Sequence, residues 1–238
     1  MATPNRLIAN RPSAVLWDYD GTLIDTEPAW IQAEIDIMAA RGARWTYEQG
    51  TEYCGTPWDV SSAALIAAAR DQGRDLEMTE WEVYEAMASR VAAYIADNDL
   101  PWLPGARELL EGLASRGTPM AIVSASPIGV LQAGISRMPT GAFGAVVTGQ
   151  EVTKGKPDPE GYLTAATRLG VLASECVVVE DSAFGTQAGR AAGAVVIAVP
   201  IMTELADTAG MIVLPSLAGV GPAELDGLFT GAREVVCD

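Results

Sequence analysis

The stretch Ala14-Val15-Leu16-Trp17-Asp18-Tyr19-Asp20-Gly21-Thr22 decides the fold, because a short apolar run passes directly into a pair of carboxylates. A continuous apolar run of this length is typical of a strand that is buried on both faces of a parallel sheet. Ligands of open α/β sheets bind beyond the carboxyl ends of the strands, where Asp18 and Asp20 are expected. By itself the pair is a weak signal, since Asp-Gly-Thr also forms ordinary turns.

Similar β-branched runs recur along the chain and alternate with segments of helical spacing. The runs are Met120–Val123, Ala145–Val147, Val177–Val179 and Val195–Val199. The helical segments are Gly105–Arg116, Ile128–Arg137, Glu160–Gly170 and Gly185–Ala192. This alternation predicts an α/β fold with a Rossmann-like, doubly wound parallel sheet.

The segment from Thr26 to Leu100 interrupts the alternation, because it contains no convincing strand. Its helical patterns cover Trp30–Arg41, Asp59–Arg70 and Thr79–Asn98, and Thr79 with Glu82 forms a capping box. We therefore predict a catalytic core formed by residues 1–25 and 101–238, with a small α-helical cap domain inserted at 26–100. A block inserted after the first strand is expected to cover the carboxyl edge of the sheet.

Composition excludes several classes of protein. A formal charge of −16 without any histidine leaves no basic footprint for nucleic acid, no Ser–His or Cys–His dyad and no imidazole-ligated zinc. No apolar stretch has the length of a membrane span, and residues 1–12 lack the order of a signal peptide. Cys54, Cys176 and Cys237 are far apart and are interpreted as free thiols. We expect a soluble cytoplasmic enzyme; the oligomeric state is not indicated.

Polar side chains follow the other predicted strands as well. Ser124-Ala125-Ser126 and Glu180-Asp181 end strands, and Lys156 follows the strand at Ala145–Val147. Carboxylates that meet at one edge of a sheet need a cation between them, and hard oxygen ligands favour Mg²⁺. Lys156 and the Ser124 hydroxyl would complete a phosphate cradle, lined by Gly21, Thr22, Ala125 and Ser126.

Such a site predicts attack on phosphorus by a carboxylate. Asp18, at the strand end, would form an aspartyl phosphate, and Asp20 would act as the general acid and base. Each feature taken alone has an ordinary explanation: Ser124 or Ser126 can cap a helix, and Glu180-Asp181 can be an acidic loop. All of them together, at successive strand ends, favour the site. The chain has only two lysines, Lys154 and Lys156, and one falls where the chemistry needs it.

Four motifs occur in order: Asp18-Tyr19-Asp20-Gly21-Thr22-Leu23-Ile24-Asp25-Thr26, Ser124-Ala125-Ser126, Gly155-Lys156-Pro157-Asp158-Pro159 and Val179-Glu180-Asp181-Ser182-Ala183-Phe184-Gly185. Through them the chain resembles the haloacid dehalogenase superfamily, and the inserted helices resemble the C1 cap of its β-phosphoglucomutase and phosphoglycolate phosphatase branch. The resemblance implies that Asp18, the Asp20 carbonyl and Asp181 bind Mg²⁺, with Glu180 reaching it directly or through water. It implies that Ser124 and Lys156 hold the transferring phosphoryl group.

Departures within that superfamily indicate the reaction. Asp20 argues against the dehalogenases, which carry Tyr there, and a cap without lysine argues against the phosphonatases. The mutases grip a second phosphate with a cap arginine soon after a Gly, whereas the loop after Gly55 offers Trp58 and Asp59. We therefore favour a phosphatase over a β-phosphoglucomutase-like mutase, which stays open as the alternative.

The substrate is expected to be a small phosphomonoester, such as a sugar or polyol phosphate. Trp58 is the candidate for contact with its leaving group, and the acidic composition disfavours polyanionic substrates. An alternative of another class is a phospho-accepting, receiver-like signalling module. The helical insert and Asp20 argue against it, because a receiver has neither a cap nor an acid/base group.

Overall fold

A computed structural model describes residues 10–200, 205 and 210–235 of the chain. The described residues form one six-stranded sheet. Its strands are β1 (Ala14–Trp17), β2 (Met120–Ser124), β3 (Ala145–Thr148), β4 (Cys176–Glu180), β5 (Val195–Ala198) and β6 (Met211–Val213). The strand order is β3-β2-β1-β4-β5-β6, and every neighbouring pair is parallel. The predicted doubly wound α/β fold is confirmed.

The helices of the described residues fall into two groups along the chain. Between β1 and β2 lie α1 (Glu27–Ala40), α2 (Tyr47–Thr51), α3 (Trp58–Asp71), α4 (Glu80–Asp97) and α5 (Ala106–Ser115). Later in the chain follow α6 (Ile128–Ile135), α7 (Glu160–Leu169), α8 (Ala183–Ala191) and α9 (Pro222–Val235). The Thr79–Glu82 capping box is present at the start of α4. Three of these elements, α2, α9 and β6, were not predicted from the sequence.

The centre of the sheet is buried on both faces, as its apolar strands require. Every residue of β1, β2 and β4 is buried. On one face, Leu16 and Val178 belong to a core cluster that also contains Tyr162 of α7 and Ala188 of α8. The chain runs from β1 to β2 and β3 on one side, and then to β4, β5 and β6 on the other. The order therefore switches at β1, and ligands bind at such a switch point.

The described chain divides into two compact units. The sheet unit comprises residues up to Leu23, Trp102–Ala125 and the chain from Pro139 onward, and the helical unit comprises Ile24–Pro101 and Ser126–Met138. Helix α6, which we assigned to the core segment 101–238, thus groups with the helical unit. A physical reason is Arg137, whose guanidinium donates to the carbonyl of Ile95 in α4 at 2.6 Å and also to that of Asn98.

Two further observations concern the expectations from composition. No helix among the described residues has the length and apolarity that a membrane crossing requires. Cys54 and Cys176 are free thiols. Cys237 and residues 1–9, on which part of the signal-peptide expectation rests, lie outside the described residues.

Candidate active site

Asp18 lies directly after β1, between the carboxyl ends of β1 and β4. Its backbone N–H donates to the carbonyl of Val179 at 3.0 Å, which continues the ladder between these strands. The Asp18 side chain is buried. The ladder thus fixes the predicted nucleophile at the switch point of the sheet.

The turn after Asp18 brings Gly21 and Thr22 against Asp181. Gly21 has a φ of +78°, which favours glycine, and a Cβ there would lie 2.4 Å from Asp181 Oδ2. The Thr22 hydroxyl donates to Asp181 Oδ1 at 3.4 Å. The first and fourth motifs therefore meet through one carboxylate.

Ser124 joins the second motif to the first. Its hydroxyl, at the buried end of β2, donates to Asp20 Oδ2 at 3.0 Å. This contact orients the carboxylate that we predict to be the general acid and base.

Lys156 brings the third motif to the same place. Its ammonium donates to Asp18 Oδ1 and to Glu180 Oε1, both at 2.5 Å. Burial acts to lower the pKa of Lys156, but the charges of Asp18 and Glu180 outweigh it and raise that pKa above its ordinary value. Lys156 is therefore a fixed positive charge beside the nucleophile.

The site carries more negative than positive charge. Asp18, Glu180 and Asp181 each place a carboxylate oxygen within 4.8 Å of the others. Burial and the charge of Glu180 raise the pKa of Asp18 to about 7, although Lys156 opposes the shift. A hard divalent cation fits this set, because oxygen donors are the ligands it prefers and its charge would offset their repulsion.

Tyr162 is a site residue that the sequence analysis missed. Its hydroxyl, on α7, donates to Glu180 Oε1 at 2.7 Å, and the Lys156 ammonium lies 5.3 Å from the centre of its ring. Burial first, and then the charge of Glu180, raise the pKa of Tyr162, so that the phenol stays protonated. In the sequence only its position, six residues after Lys156, pointed to a role in the site. This signal is weak, because an aromatic residue on a helix is usually a packing residue.

Two of the predicted site residues, Ser126 and Trp58, belong to the helical unit. Trp58 stacks on Tyr84 with ring centres 5.3 Å apart, and it meets Trp81 edge-on at 5.3 Å. Trp58 remains 38 % exposed, which leaves part of its ring accessible. Ala125, which ends the Trp102–Ala125 segment of the sheet unit, is exposed.

Comparison with known proteins identifies relatives along most of the chain. The family model described as haloacid dehalogenase-like hydrolase matches residues 15–199. Hexitol phosphatase B of Escherichia coli strain K12 is 31% identical over 202 residues, which are 84% of this chain and 86% of that protein.

Solved structures share the architecture. A mutant of CbbY from Rhodobacter sphaeroides, in complex with xylulose-1,5-bisphosphate, gives a TM-score of 0.79 at 26% identity, covering 90% of this chain and 99% of that one. A protein from Thermotoga maritima, described as a putative β-phosphoglucomutase, gives a TM-score of 0.66 at 27% identity, with coverages of 93% and 99%.

Proposed function

The chain belongs to the haloacid dehalogenase-like hydrolases, and on that premise we propose that it is a Mg²⁺-dependent phosphatase of small sugar or polyol phosphomonoesters. It lies in the branch that holds phosphatases and β-phosphoglucomutases, and it is a phosphoric monoester hydrolase. One observation carries the proposal: Lys156 and Asp181 converge on Asp18 at the switch point of the sheet, while Ser124 holds Asp20.

The first step transfers the phosphoryl group to Asp18. A carboxylate oxygen of Asp18 attacks phosphorus, and the bond from phosphorus to the leaving-group oxygen breaks. Asp20 gives its proton to that oxygen, so that an alcohol leaves. Lys156 and the Ser124 hydroxyl neutralise and orient the phosphoryl oxygens.

The second step releases phosphate. Asp20, now ionised, takes a proton from water as the water oxygen attacks phosphorus. The bond between phosphorus and Asp18 breaks, which regenerates the Asp18 carboxylate and frees inorganic phosphate. Both steps use the same pair of carboxylates, two residues apart in the chain.

Asp18, Asp181 and the backbone carbonyl of Asp20 are the groups that would hold Mg²⁺. When bound, the cation would offset the repulsion between the carboxylates and an anionic phosphoryl group. Glu180 is expected to reach the cation directly or through water, and we propose the route through water, because protein donors already engage both of its carboxylate oxygens.

The helical unit is proposed to act as the cap that selects the leaving group. It contains no lysine, and exposed Trp58 and Trp81 have the acidic Asp59 and Glu80 as chain neighbours. Aromatic rings and carboxylates suit the carbon face and hydroxyl groups of a polyol, whereas a second phosphate would have to be held by the arginines elsewhere in the unit. Gly21, Thr22, Ala125 and Ser126 are proposed to line the phosphate loops. The free thiols support a cytoplasmic location.

Hydrolysis of an aryl phosphate tests the mechanism. We expect phosphate release only with added Mg²⁺, and Asp18→Asn should lower kcat by at least about a thousandfold, because it removes the nucleophile. The matched control is Asp71→Asn, which changes an exposed carboxylate in α3 and should leave the rate unchanged. Normal turnover by Asp18→Asn would exclude an aspartyl phosphate at this residue.

A panel of metabolites tests the substrate class. We expect hexitol phosphates to release phosphate faster than xylulose-1,5-bisphosphate. Isomerisation of β-glucose 1-phosphate to the 6-phosphate in the presence of a bisphosphate primer would favour the mutase alternative, which the similarity to the Thermotoga maritima protein keeps open. Transient phosphorylation without turnover of any phosphomonoester would favour a receiver-like module.

A further inference from the structure

Glu180 accepts hydrogen bonds on both of its carboxylate oxygens from surrounding groups of the protein. Oε1 accepts from the Lys156 ammonium at 2.5 Å and from the Tyr162 hydroxyl at 2.7 Å. Oε2 accepts from the Ser182 hydroxyl at 3.0 Å and from the backbone N–H groups of Asp181 at 3.1 Å and Ser182 at 3.2 Å. An ionised carboxylate offers about four lone-pair sites, so these donors occupy its capacity.

The packing around Glu180 leaves this carboxylate no room to move. Its side chain is completely buried, and a Cβ at Gly185 of α8 would lie 1.7 Å from Oε1. Since close contact from α8 and donors on both oxygens fix the carboxylate, it is a rigid acceptor for the Lys156 ammonium.

Tyr162 contacts both Glu180 and Lys156. Its phenol fixes the same Oε1 that accepts from Lys156, and its ring lies under the ammonium at 5.3 Å. A lysine side chain loses much rotamer freedom when it is held in one position, and a cation over an aromatic face is attracted to it. Both contacts of Tyr162 therefore hold Lys156 in the conformation that reaches Asp18.

We propose that Tyr162 and Glu180 are positioning residues that hold the Lys156 ammonium against Asp18 and thereby against the transferring phosphoryl group. This proposal rests on the proposed phosphatase function for its catalytic consequence. The positioning itself is a property of the protein that can be measured without turnover.

The first test uses Tyr162→Phe, which keeps the ring and removes the hydroxyl. We expect kcat/KM for an aryl phosphate to fall about tenfold, because a hydrogen bond to a charged group is lost. Tyr162→Leu also removes the ring and should lower kcat/KM further. Tyr94→Phe, which removes an exposed phenol hydroxyl from α4, is the control and should leave kcat/KM unchanged.

The second test measures positioning directly, because the chain has only two lysines. The Lys154 side chain is 73% exposed and that of Lys156 is 15% exposed, so Lys154 is an internal standard for acylation by an amine reagent. Mass spectrometry should show that Tyr162→Phe raises the acylation rate of Lys156 relative to Lys154 several-fold, with a cooperative thermal transition retained. Glu180→Gln, which removes the charge and keeps the shape, should change the ratio in the same direction.

An unchanged ratio of acylation rates in both variants would overturn the positioning role, and so would an unchanged kcat/KM in Tyr162→Phe. Absence of phosphatase activity in the wild type would instead contradict the proposed function. The ratio of the two lysines would still decide the positioning role in that case.

Discussion

At the scale of single residues, Gly21 combines a backbone requirement with a steric one. Its φ of +78° strains any other residue, and a Cβ would lie 2.4 Å from Asp181 Oδ2. We expect Gly21→Ala to lower the free energy of unfolding by about 1–2 kcal/mol and, by displacing Asp181, to remove most phosphatase activity. Urea unfolding and Mg²⁺-dependent hydrolysis measure the two effects separately.

Gly117 supplies the matched control for this prediction. Its φ is +70°, but a Cβ there would meet no atom within 4 Å. Gly117→Ala should therefore show the loss of stability without the loss of activity. If Gly21→Ala retained full activity, the position of the Asp181 carboxylate would not depend on the absence of a side chain at residue 21.

For Tyr19 we predict a substitution that raises the stability of the folded state. Its hydroxyl is buried and finds no hydrogen-bond partner among the described residues. A buried polar group without a partner destabilises the folded state, so Tyr19→Phe should raise the free energy of unfolding by about 1 kcal/mol. The exposed Tyr94 is the control, since Tyr94→Phe should leave urea unfolding unchanged. A loss of stability in Tyr19→Phe would mean that the hydroxyl has a partner, such as an internal water.

At the scale of elements, α1 buries a carboxylate inside the helical unit. Glu34 is only 5 % exposed, and its Oε2 accepts from the Trp45 indole N–H at 2.8 Å. Burial raises the pKa of Glu34 to about 7, the Trp45 hydrogen bond opposes this shift, and the charge of Glu27 adds to it.

This raised pKa makes the stability of the folded chain dependent on pH. Between the ordinary pKa of a glutamate and about 7, the folded state binds more protons than the unfolded state, so the free energy of unfolding falls as pH rises. Above that range the contribution becomes constant. Between pH 5 and pH 8.5 we expect Glu34 to lower the free energy of unfolding by about 2 kcal/mol, and Glu34→Gln should abolish this contribution. Urea unfolding across this pH range measures it.

Asp36 on the same helix is the control for Glu34, because it is exposed. Asp36→Asn should leave the pH dependence as it is in the wild type. A wild-type protein whose stability did not fall between pH 5 and pH 8.5 would contradict the burial of an ionisable Glu34.

The elements differ in how well the sequence predicted them, and length and burial explain the difference. β1 was predicted with the bounds that the structure has, because four buried apolar residues end in a polar pair. The three-residue β6 was missed, since it is short and only partly buried. The five-residue α2 was also missed, although Thr46 and Gln49 form its capping box and were a readable signal.

At the scale of the whole molecule, topology explains why the candidate site could be predicted at all. Parallel strands bring their carboxyl ends to one edge, so Asp18, Ser124 and Asp181 converge from distant parts of the chain. Tyr162 could not be predicted in the same way, because it reaches Glu180 from the side of a helix. Which helix face meets which carboxylate depends on packing, and periodicity predicts only that such a face is buried.

The net charge of −16 also acts at this scale, since the substrate of a phosphatase is an anion. At low salt, acidic side chains far from the site repel the substrate, because the Debye length is about 30 Å at 0.01 M. At 0.15 M it is about 8 Å, so that most of this repulsion is screened. We expect kcat/KM for a phosphomonoester to rise about two- to fivefold across that range at constant free Mg²⁺. The value of kcat should change little, because it describes substrate that is already bound, whereas the repulsion slows the association of substrate and enzyme.

Two comparisons decide whether the surface charge is the cause. A variant with Asp71→Asn, Glu85→Gln and Glu108→Gln neutralises three exposed carboxylates, so its kcat/KM should be higher at low salt and depend less on salt. A bisphosphate should show a steeper rise than a monophosphate, because repulsion grows with the charge of the ligand. A kcat/KM that falls with salt would mean that attraction by Lys156 and Mg²⁺ outweighs the acidic surface, and the charge argument against polyanionic substrates would then be wrong.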